Sequence, residues 1–381
     1  VVARLSESAA ADVPHCLRSN GIELLLSEAV TGFETGTRLK VNLRSGRAIE
    51  TDMAVVALGV VPEAHLASDA GLETGIKGAI ITDTHMRTSD PCIYAVGDAV
   101  QVREFVSGTD AVISLAGPAN RQGRIAADNI CGIPSEYKGS QGSSVIQVFD
   151  MTVATTGLNE KTAKAAGIDY DKVYTYSASH ATYYPGARNM SVKTLFEKGT
   201  GRILGAQIVG YEGADKRIDV IATVIRSGGD YRLLEELDLA YAPPYSSAKD
   251  PVNMAGFVID NVVSGRVSQF FWNDVAALAA DGSNVFVDVR TPEEFSRGHI
   301  EGSVNIPVDC MRERMSEIPR DRHVCLICHS ALRSYIAARM LMQNGYDCSH
   351  LAGGYRLYSS VVGDIQVGSP DGPPCGQSRR S

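Results

Sequence analysis

The stretch HVCLICHSALRSYIAARMLMQNG, residues 323–345, constrains the fold most because it runs from an apolar strand pattern through a short loop into a helical pattern. Cys328 opens the loop and Arg333 closes it, with four residues between them. Backbone N–H groups that curl around a sulfur atom, together with the N-terminus of the following helix, favour an anion at this place. Arg333 adds a positive charge that does not titrate in proteins. The pattern predicts a cysteine nucleophile in an anion-binding loop.

The length of this loop separates two chemistries. Cysteine phosphatases place one residue more between the cysteine and the arginine, which makes room for a tetrahedral phosphate. The shorter loop forms a smaller cradle, so we expect Cys328 to carry a thiolate or a persulfide. Cys325 forms a C-x-x-C pattern with Cys328, but it lies inside the strand pattern and is interpreted as a small core residue. The alternative for the whole loop is an inert turn between a strand and a helix.

Composition and charge argue against several classes of partner. The 381 residues carry a net charge of −8, so no basic surface is expected to hold nucleic acid or an anionic membrane. No apolar window approaches the roughly 18 residues that a membrane helix needs, and no leader-like segment opens the chain. Eight cysteines scattered over a chain of this length indicate reduced thiols rather than a disulfide framework. These patterns predict a cytoplasmic protein without nucleic-acid or membrane partners.

The pattern of predicted secondary structure changes near residue 140. Residues 1–139 mix helical and strand patterns, and they include the apolar run ETDMAVVALG, which is typical of a buried parallel strand. Further strands are predicted in IELLL, in RLKVNLRSG and on both sides of a connection in GAIITDTHMRTSDPCIYAVGD, residues 78–98. Residues 140–264 are strand-rich with antiparallel patterning, and a hairpin is predicted with its turn at 198–201. The same part contains a helical pattern with an apolar stripe from Ile218 to Ile225.

The pattern of predicted secondary structure changes again after a predicted linker at 265–271. Residues 270–365 again alternate helix and strand patterns, which predicts a separate α/β domain. Residues 366–381 are rich in Pro, Gly and Ser and are expected to be disordered.

Residues 270–365 resemble the rhodanese-like sulfurtransferases. The resemblance lies in FVDVRTPEEFSRGHIEGSVNIP, which matches the D-V-R, E-F, G-H-I-x-G and N-I-P parts of the rhodanese signature, and in the Gly-Gly turn of HLAGGYRLY. It implies that Cys328 accepts a sulfane sulfur as a persulfide and passes it to a thiol, with Arg333 at the rim of the loop. Family loops often carry glycine where this chain has Ala331. If that position needs a positive φ, alanine costs about 1 kcal/mol there.

The stretch TSDPCIYAVGDA, residues 88–99, resembles the second FAD fingerprint of the pyridine nucleotide-disulfide oxidoreductases. A glycine at this place lets the backbone approach a ligand, and a carboxylate follows it at the expected carboxyl end of a strand. The resemblance implies that Asp98 accepts hydrogen bonds from the ribityl chain of FAD; the alternative is a simple turn or helix cap. It also implies that four further residues contact the cofactor: Gly97, Gly59 in VVALGVVPEAHL, and Pro118 and Ala119 at the start of the helix AGPANRQG.

Residues 140–264 resemble the dimerisation domain of the same family. The segments HATYYPGA and DLAYAPPYSSAKDPVNMAGFV are similar to coenzyme A disulfide reductases and their rhodanese fusions. The resemblance implies a homodimer in which Tyr183 and Tyr241 reach the redox cysteine of the partner subunit. A tyrosine hydroxyl can donate a proton or a hydrogen bond to a departing thiolate. The alternative is that both tyrosines only pack the core or the dimer interface.

The resemblance covers nearly the whole chain, but its nucleotide-binding glycine fingerprints and its flavin-domain cysteine have no match in the sequence. We therefore expect a chain that lacks the N-terminal part of its family. The predicted fold is multidomain α/β and α+β: partial FAD/NAD(P)-binding Rossmann-like domains, an α+β dimerisation domain and a C-terminal α/β rhodanese-like domain.

The activity implied for the complete dimer is reduction of coenzyme A disulfide, persulfide or polysulfide with FAD and NAD(P)H. Coenzyme A is a further expected ligand, and small thiols, persulfides and disulfides are the expected substrates. Two alternatives stay open: a sulfurtransferase whose flavoprotein part is only a scaffold, and a sulfur-binding module without catalysis.

Overall fold

A computed structural model describes residues 12–365 of the protein, with side chains up to residue 362. The predicted tail at 366–381 lies outside the described residues. The helices are α1 Asp12–Ser19, α2 His65–Asp69, α3 Ala116–Ile130, α4 Glu160–Ala165, α5 Ala214–Arg226, α6 Tyr231–Glu236, α7 Pro251–Val263, α8 Val275–Ala280, α9 Pro292–Ser296, α10 Met311–Arg314, α11 Leu332–Gln343 and α12 Gly354–Ile365.

The strands are β1 Val30–Glu34, β2 Leu39–Leu43, β3 Ala48–Thr51, β4 Val102–Arg103, β5 Asp110–Ala111, β6 Ser144–Val148, β7 Met151–Gly157, β8 Tyr170–Ala178, β9 Asn189–Glu197, β10 Ile203–Gly210, β11 Gln269–Phe270, β12 Asn284–Asp288, β13 Val304–Asn305, β14 His323–Ile327 and β15 Cys348–Leu351. The described residues divide into two compact units. One consists of 17–102 and 110–138, and the other of 12–16, Arg103–Thr109 and 139–365.

The first unit contains a three-stranded antiparallel sheet and the helix α3. The sheet has the order β1-β2-β3, with Phe33 opposite Val41 and Val41 opposite Ile49. This meander confirms the strand predicted in RLKVNLRSG. The helix α3 begins at Ala116 with Pro118 in its first turn and is followed by Gly132 at φ +79°, as its sequence predicts.

The strand predicted in the apolar run of ETDMAVVALG is wrong for most of its length. Only its start belongs to β3, and residues 53–61 have no regular structure. Their side chains are exposed: 79% for Val55, 66% for Val56 and 95% for Leu58. A parallel strand needs neighbours that pair with its backbone, and no sheet of the described residues includes this run.

The strands predicted around 79–98 and in IELLL are also absent. In the first segment three isolated bridges replace regular ladders: Thr74 to Ile80, Ile80 to Val100 and Arg87 to Tyr94. In the second, the helix α1 ends and Gly21 turns the chain at φ +79°, after which no strand forms. Short apolar runs fit strands and buried coil equally well, so periodicity alone does not separate them.

The second unit begins with an antiparallel five-stranded sheet in the order β6-β7-β10-β9-β8. The hairpin of β9 and β10 encloses the predicted turn at 198–201. The helix α5 lays the predicted apolar stripe on this sheet, with Ile218, Ile221 and Ile225 at most 3% exposed. Together with α6 and α7 it closes an apolar core around the central strand β10, all of whose residues are buried.

A parallel sheet follows in the same unit, in the order β11-β15-β14-β12-β13. Its central strands β12 and β14 pair over their full length, from Asn284 opposite His323 to Asp288 opposite Ile327. The predicted linker at 265–271 is not wholly a linker, because β11 inside it pairs in parallel with β15. The carboxyl ends of β12 and β14 meet at one edge of the sheet, where α/β folds place their sites.

The two sheets of this unit contact each other through α12 and the segment around Phe271. Tyr174 of β8 packs with Ala352 and Leu357, and Trp272 lies against the same cluster. The Arg356 guanidinium stacks 4.6 Å from the ring centre of Tyr176. Apolar contact and a cation–π contact therefore join the two parts.

No helix within residues 12–365 combines the length and the apolar character that crossing a membrane requires.

Candidate functional site

Cys328 lies directly after β14, at the start of the loop that leads into α11. Its side chain is 1% exposed, and its Sγ is 3.3 Å from the Ser334 Oγ. The loop curls because Ala331 adopts φ 74° and ψ −18°, the left-handed region that favours glycine. The position thus needs the positive φ considered from the sequence, and alanine occupies it. Cys328 and Arg333 sit at the two ends of one tight turn at the N-terminus of a helix.

The first residues of α12 close the loop from the other side. The Tyr355 N–H donates to the Cys328 carbonyl at 2.7 Å, and the Arg356 N–H donates to the His329 carbonyl at 3.0 Å. A Cβ on Gly354 would lie 2.5 Å from the His329 carbonyl oxygen, so only glycine allows this approach. The Gly-Gly turn that the sequence singled out therefore holds the backbone of the cysteine loop.

Arg333 forms a two-point ion pair with Glu294 of α9. Both of its terminal nitrogens donate to the carboxylate, each at 2.7 Å. This guanidinium is the main cause that lowers the pKa of Glu294 to about 2. The contact fixes Arg333 at the rim of the loop and partly neutralises it. In the sequence, Glu294 belongs to the E-F part of the rhodanese signature, and no role was assigned to it. Its negative charge, which complements the positive charge of Arg333, is the signal that could have identified it as a partner.

Ser334 and His350 complete the surroundings of Cys328, and neither was predicted. The Ser334 Oγ donates to the Ala331 carbonyl at 3.0 Å and lies 3.3 Å from the Nδ1 of His350. Burial lowers the pKa of His350 to about 4. This histidine comes from β15, and its place follows only from the pairing of β14 with β15.

The D-V-R part of the signature builds support for the loop. Arg290 and Asp288 form a buried ion pair at 2.6 Å, and Arg290 also donates to the Gly298 carbonyl at 2.7 Å. The Tyr355 ring lies 4.1 Å from this guanidinium. The motif therefore joins β12, the turn after α9 and α12, and it positions the elements that carry the loop.

Tyr183 and Tyr241 are joined by a direct hydrogen bond. Their hydroxyl oxygens are 3.0 Å apart, and the side chains are 75% and 47% exposed. The hydrogen bond between the two hydroxyls raises the pKa of Tyr241. The structure brings together two residues that the sequence separates by 58 positions and presents both hydroxyls at the surface.

A buried arginine holds the segments that carry these tyrosines. Arg217 of α5 is 2% exposed and pairs with Asp250 at 3.0 Å. The same guanidinium donates to the Ser179 carbonyl at 2.9 Å and to the Tyr245 carbonyl at 3.3 Å. It thereby bridges the segment before Tyr183 to the segment after Tyr241.

The predicted flavin residues Gly97 and Asp98 form a short 3-10 turn against α3. Gly97 has φ +81°, and its N–H donates at 2.7 Å to the amide oxygen of Gln122, which is 1% exposed. The turn leaves the Asp98 carboxylate exposed. The N-cap residue Leu115 makes no side-chain hydrogen bond to the helix start, so the N–H groups there are not capped by it.

These residues fit part of FAD. A carboxylate suits the hydroxyls of a ribityl chain, and the start of α3, which has no side-chain cap, suits an electron-rich ring edge. Pro118 has no N–H and the Ala119 N–H donates to the Leu115 carbonyl at 3.2 Å, so the contacts of these two residues with the cofactor stay a prediction. Gly59 has φ +98° but lies in the exposed run 53–61, outside the apolar cluster that supports the Gly97 turn.

Two other cysteines, Cys325 and Cys16, are buried thiols that are poorly suited to nucleophilic attack. Cys325 is fully buried, and burial raises its pKa to about 12, which agrees with its interpretation as a core residue. Cys16 on α1 is buried, and burial likewise raises its pKa. A thiol with a raised pKa is a poor nucleophile at neutral pH.

Sequence profiles of known families match three parts of the chain. Residues 1–123 match the pyridine nucleotide-disulphide oxidoreductases, and residues 143–251 match the dimerisation domain of that family. Residues 272–360 match the rhodanese-like domain.

Two similar proteins each match part of the chain. The NAD(P)H sulfur oxidoreductase (CoA-dependent) of Pyrococcus furiosus is 33% identical over 61% of this chain and 52% of its own length. The coenzyme A disulfide reductase of Staphylococcus epidermidis is 32% identical over 57% of this chain and 50% of its own length. The chain spans about half the length of these relatives.

Two solved structures resemble the fold over almost the whole chain. Reduced CoADR-RHD of Bacillus anthracis has a TM-score of 0.92 and 45% identity, and the match covers 95% of this chain and 65% of that one. The NAD-dependent persulfide reductase of A. fulgidus has a TM-score of 0.84 and 37% identity over 93% of this chain and 65% of that one. The chain belongs to the pyridine nucleotide-disulphide oxidoreductases and carries a rhodanese-like domain after its dimerisation domain.

Proposed function

We propose that this chain is part of a homodimeric, cytoplasmic reductase of coenzyme A disulfide, persulfide or polysulfide whose rhodanese-like domain carries sulfane sulfur on Cys328. The observation that carries the proposal is the loop itself: a thiol at a helix N-terminus, with Arg333 at the rim and the backbone fixed by α12. The match to a dimerisation domain supports the homodimer. Seven cysteines of the described residues are free thiols, which supports a reducing compartment.

The sulfur transfer follows from the position of Cys328. Its thiolate attacks the outer sulfur of a donor, so a new S–S bond forms on Cys328 while the S–S bond of the donor breaks and the donor leaves as a thiolate. The proton of the cysteine passes to that leaving group through water. The N–H groups at the start of α11 and the guanidinium of Arg333 stabilise the anionic persulfide. Attack by an acceptor thiol such as that of coenzyme A then regenerates Cys328.

The reductive half consumes the persulfide that this transfer forms. One persulfide, one NAD(P)H and one proton give one thiol, one hydrogen sulfide and one oxidised nicotinamide cofactor. FAD, when bound, supplies the two-electron chemistry between the nicotinamide and sulfur, with Asp98, Gly97, Pro118, Ala119 and Gly59 as its proposed contacts in this chain. Tyr183 and Tyr241 present a hydrogen-bonded pair of hydroxyls that can donate a proton to a departing thiolate.

The sulfur step is tested by mass spectrometry of the chain after incubation with a polysulfide donor. We expect a mass increase of one sulfur atom on the peptide that contains Cys328, and no such increase in Cys328→Ser. Cys131→Ser removes an exposed thiol outside the loop and is the matched control, which should label like the wild type. Equal labelling of Cys328→Ser in the loop peptide would exclude Cys328 as the carrier.

The reductive step is tested in the full-length dimer with Tyr183→Phe and Tyr241→Phe. We expect each variant to slow turnover of coenzyme A disulfide about 10-fold or more, because a positioned proton donor contributes at least this much. Flavin reduction by NAD(P)H should be unchanged. Tyr184→Phe, which alters an adjacent exposed ring, is the control.

Unchanged turnover in both variants would leave the two tyrosines as packing residues. The sulfurtransferase alternative predicts sulfur uptake on Cys328 in a full-length protein that reduces no disulfide. The non-catalytic alternative predicts neither activity.

A further inference from the structure

His350 lies behind the cysteine loop and contacts it through one hydroxyl. It is 4% exposed on β15, and its Nδ1 is 3.3 Å from the Ser334 Oγ. That oxygen is in turn 3.3 Å from the Cys328 Sγ and 3.0 Å from the Ala331 carbonyl oxygen. Groups from β15 and the cysteine loop, namely the His350 imidazole, the Cys328 sulfur and the Ala331 carbonyl, therefore surround the single hydroxyl of Ser334 on α11.

The oxygen of the Ala331 carbonyl can accept two hydrogen bonds. A carbonyl oxygen has two lone pairs. One accepts the N–H of Tyr335 at 3.0 Å, as part of the first turn of α11. The other accepts the hydroxyl of Ser334 at 3.0 Å, and that hydroxyl oxygen lies 3.3 Å from the Nδ1 of His350. If Ser334 turns away, His350 is the group that can replace it.

The hydroxyl of Ser334 can donate to only one acceptor at a time. A thiol at Cys328 needs no donor, whereas a thiolate or a persulfide anion binds one strongly. The hydroxyl therefore has a reason to turn toward sulfur once the sulfur is charged. Such a turn would leave a part-buried carbonyl without its second partner, at a residue whose left-handed backbone is already strained.

We propose that His350 is a positioning residue that releases the Ser334 hydroxyl to the anionic sulfur of Cys328 by taking over its hydrogen bond to the Ala331 carbonyl. In the thiol state, Ser334 donates to Ala331. In the thiolate or persulfide state, Ser334 donates to the sulfur, and the Nδ1–H of a neutral His350 donates to Ala331. The inference deepens the proposed function, because it assigns a third residue to the anion that Cys328 is proposed to carry.

The charged groups near the sulfur allow a test by pH. The low pKa of about 4 keeps His350 neutral near pH 7, and Glu294 is ionised because its pKa is about 2. Burial lowers the pKa of His329, so this ring is also neutral near pH 7. Between pH 7 and 10 these three groups therefore keep their charge. The titratable and charged groups around the sulfur are His329 and Arg333 on the loop, Glu294 on α9, Asp288 at the end of β12, Arg290 after it, His350 on β15 and Arg356 on α12.

The test measures the rate at which iodoacetamide alkylates Cys328 in the full chain as a function of pH, read from the mass of the loop peptide. In His350→Phe, Ser334 must stay on Ala331, so the sulfur anion loses a hydrogen bond. We expect the pH of half-maximal rate to rise by about one unit, the effect of one hydrogen bond to a charged group. His350→Asn places an amide N–H where the imidazole had its own, and it should restore the wild-type value.

The matched control is His323→Asn, which alters a histidine on the adjacent strand that binds Asp347 and Ser349 instead of the loop. It should leave the midpoint unchanged. In a Ser334→Ala background, His350→Phe should cause no further shift. If His350→Phe does not fold, His350→Leu is measured in its place.

A wild-type midpoint in the apolar variant, or an equal shift in His350→Asn, would overturn the proposal. Sulfur uptake is measured separately, so a shifted midpoint in a protein that takes up no sulfane sulfur would contradict the proposed function while leaving the role of His350 in place.

Discussion

Ala331 combines a left-handed backbone with a side chain that disfavours it. Its φ of 74° is one of five positive φ values at non-glycine residues among the described positions, and it is the one that shapes the cysteine loop. Two hydrogen bonds, from the Ser334 hydroxyl and the Tyr335 N–H, converge on its carbonyl. The loop therefore keeps its geometry through these contacts rather than through intrinsic backbone preference.

Ala331→Gly is expected to stabilise the rhodanese-like domain by about 1 kcal/mol, because glycine takes this backbone conformation without the steric cost. The measurement is the free energy of unfolding in urea. Ala277→Gly is the matched control: it changes an exposed alanine in the interior of α8 and should destabilise by a similar amount. A loss of stability in Ala331→Gly would mean that the side chain makes favourable contacts that outweigh the strain.

At this scale the sequence predicted the two residues at the ends of the cysteine loop but not the residues that contact them. Cys328 and Arg333 followed from spacing within a single loop. Glu294 lies 39 residues from Arg333 and His350 lies 16 residues from Ser334, so both contacts depend on how the strands order in the sheet. A sequence motif shows only residues that are close along the chain. Glu294 and His350 approach the cysteine loop only when the parallel strands of the sheet pair.

At the scale of elements, Arg217 connects α5 with both tyrosine-bearing segments. Its guanidinium and the Asp250 carboxylate are 2% and 3% exposed, so the pair is almost dry. Asp250 also caps α7 through the Val252 N–H at 3.0 Å. One ion pair therefore fixes two segments and the start of a helix.

Arg217→Met is expected to destabilise the dimerisation domain by about 3–5 kcal/mol, because it leaves a buried carboxylate without its partner. Chemical denaturation measures the change. Arg202→Met removes a partly exposed pair with Glu197 and should cost less than about 1 kcal/mol. Similar small losses in both variants would show that Asp250 finds other partners.

Elements with a long, regular pattern could be predicted, and those that depend on distant neighbours could not. The hairpin at 198–201, α5 and the alternation of the last domain follow from local periodicity. The run at 53–61 has the composition of a buried strand, but its backbone has no pairing strand among the described residues. The short strand β11 was assigned to a linker because two residues carry no periodic signal.

At the scale of the whole molecule, the dimerisation sheet and the rhodanese-like domain are joined through α12. Arg356 contributes twice: its N–H holds the His329 carbonyl of the cysteine loop, and its side chain covers Tyr176 of β8. A single residue, Arg356, therefore contacts both the backbone of the cysteine loop and the sheet of the dimerisation domain.

Trp272, the single tryptophan of the sequence, lies against this contact and reports on it. In the wild type we expect tryptophan emission and far-UV circular dichroism to change at the same urea concentration. In Arg356→Ala the emission should shift to the red at lower urea, because a cation–π contact of up to about 2 kcal/mol is lost. The exposed Arg322→Ala is the control. Coincident transitions in Arg356→Ala would mean that apolar packing alone keeps the two parts together.

The exposed run at 53–61 has a practical consequence for this chain. Its centre, AVVALGVV, contains no charge and no proline and is rich in β-branched residues, which is the composition of segments that stack into cross-β fibrils. Val55, Leu58 and Val61 are each at least 79% exposed, so their side chains are open to a second copy. Residues 53–61, for which a buried strand was wrongly predicted, are thus the segment through which we expect this chain to aggregate at high concentration, by strand pairing between copies.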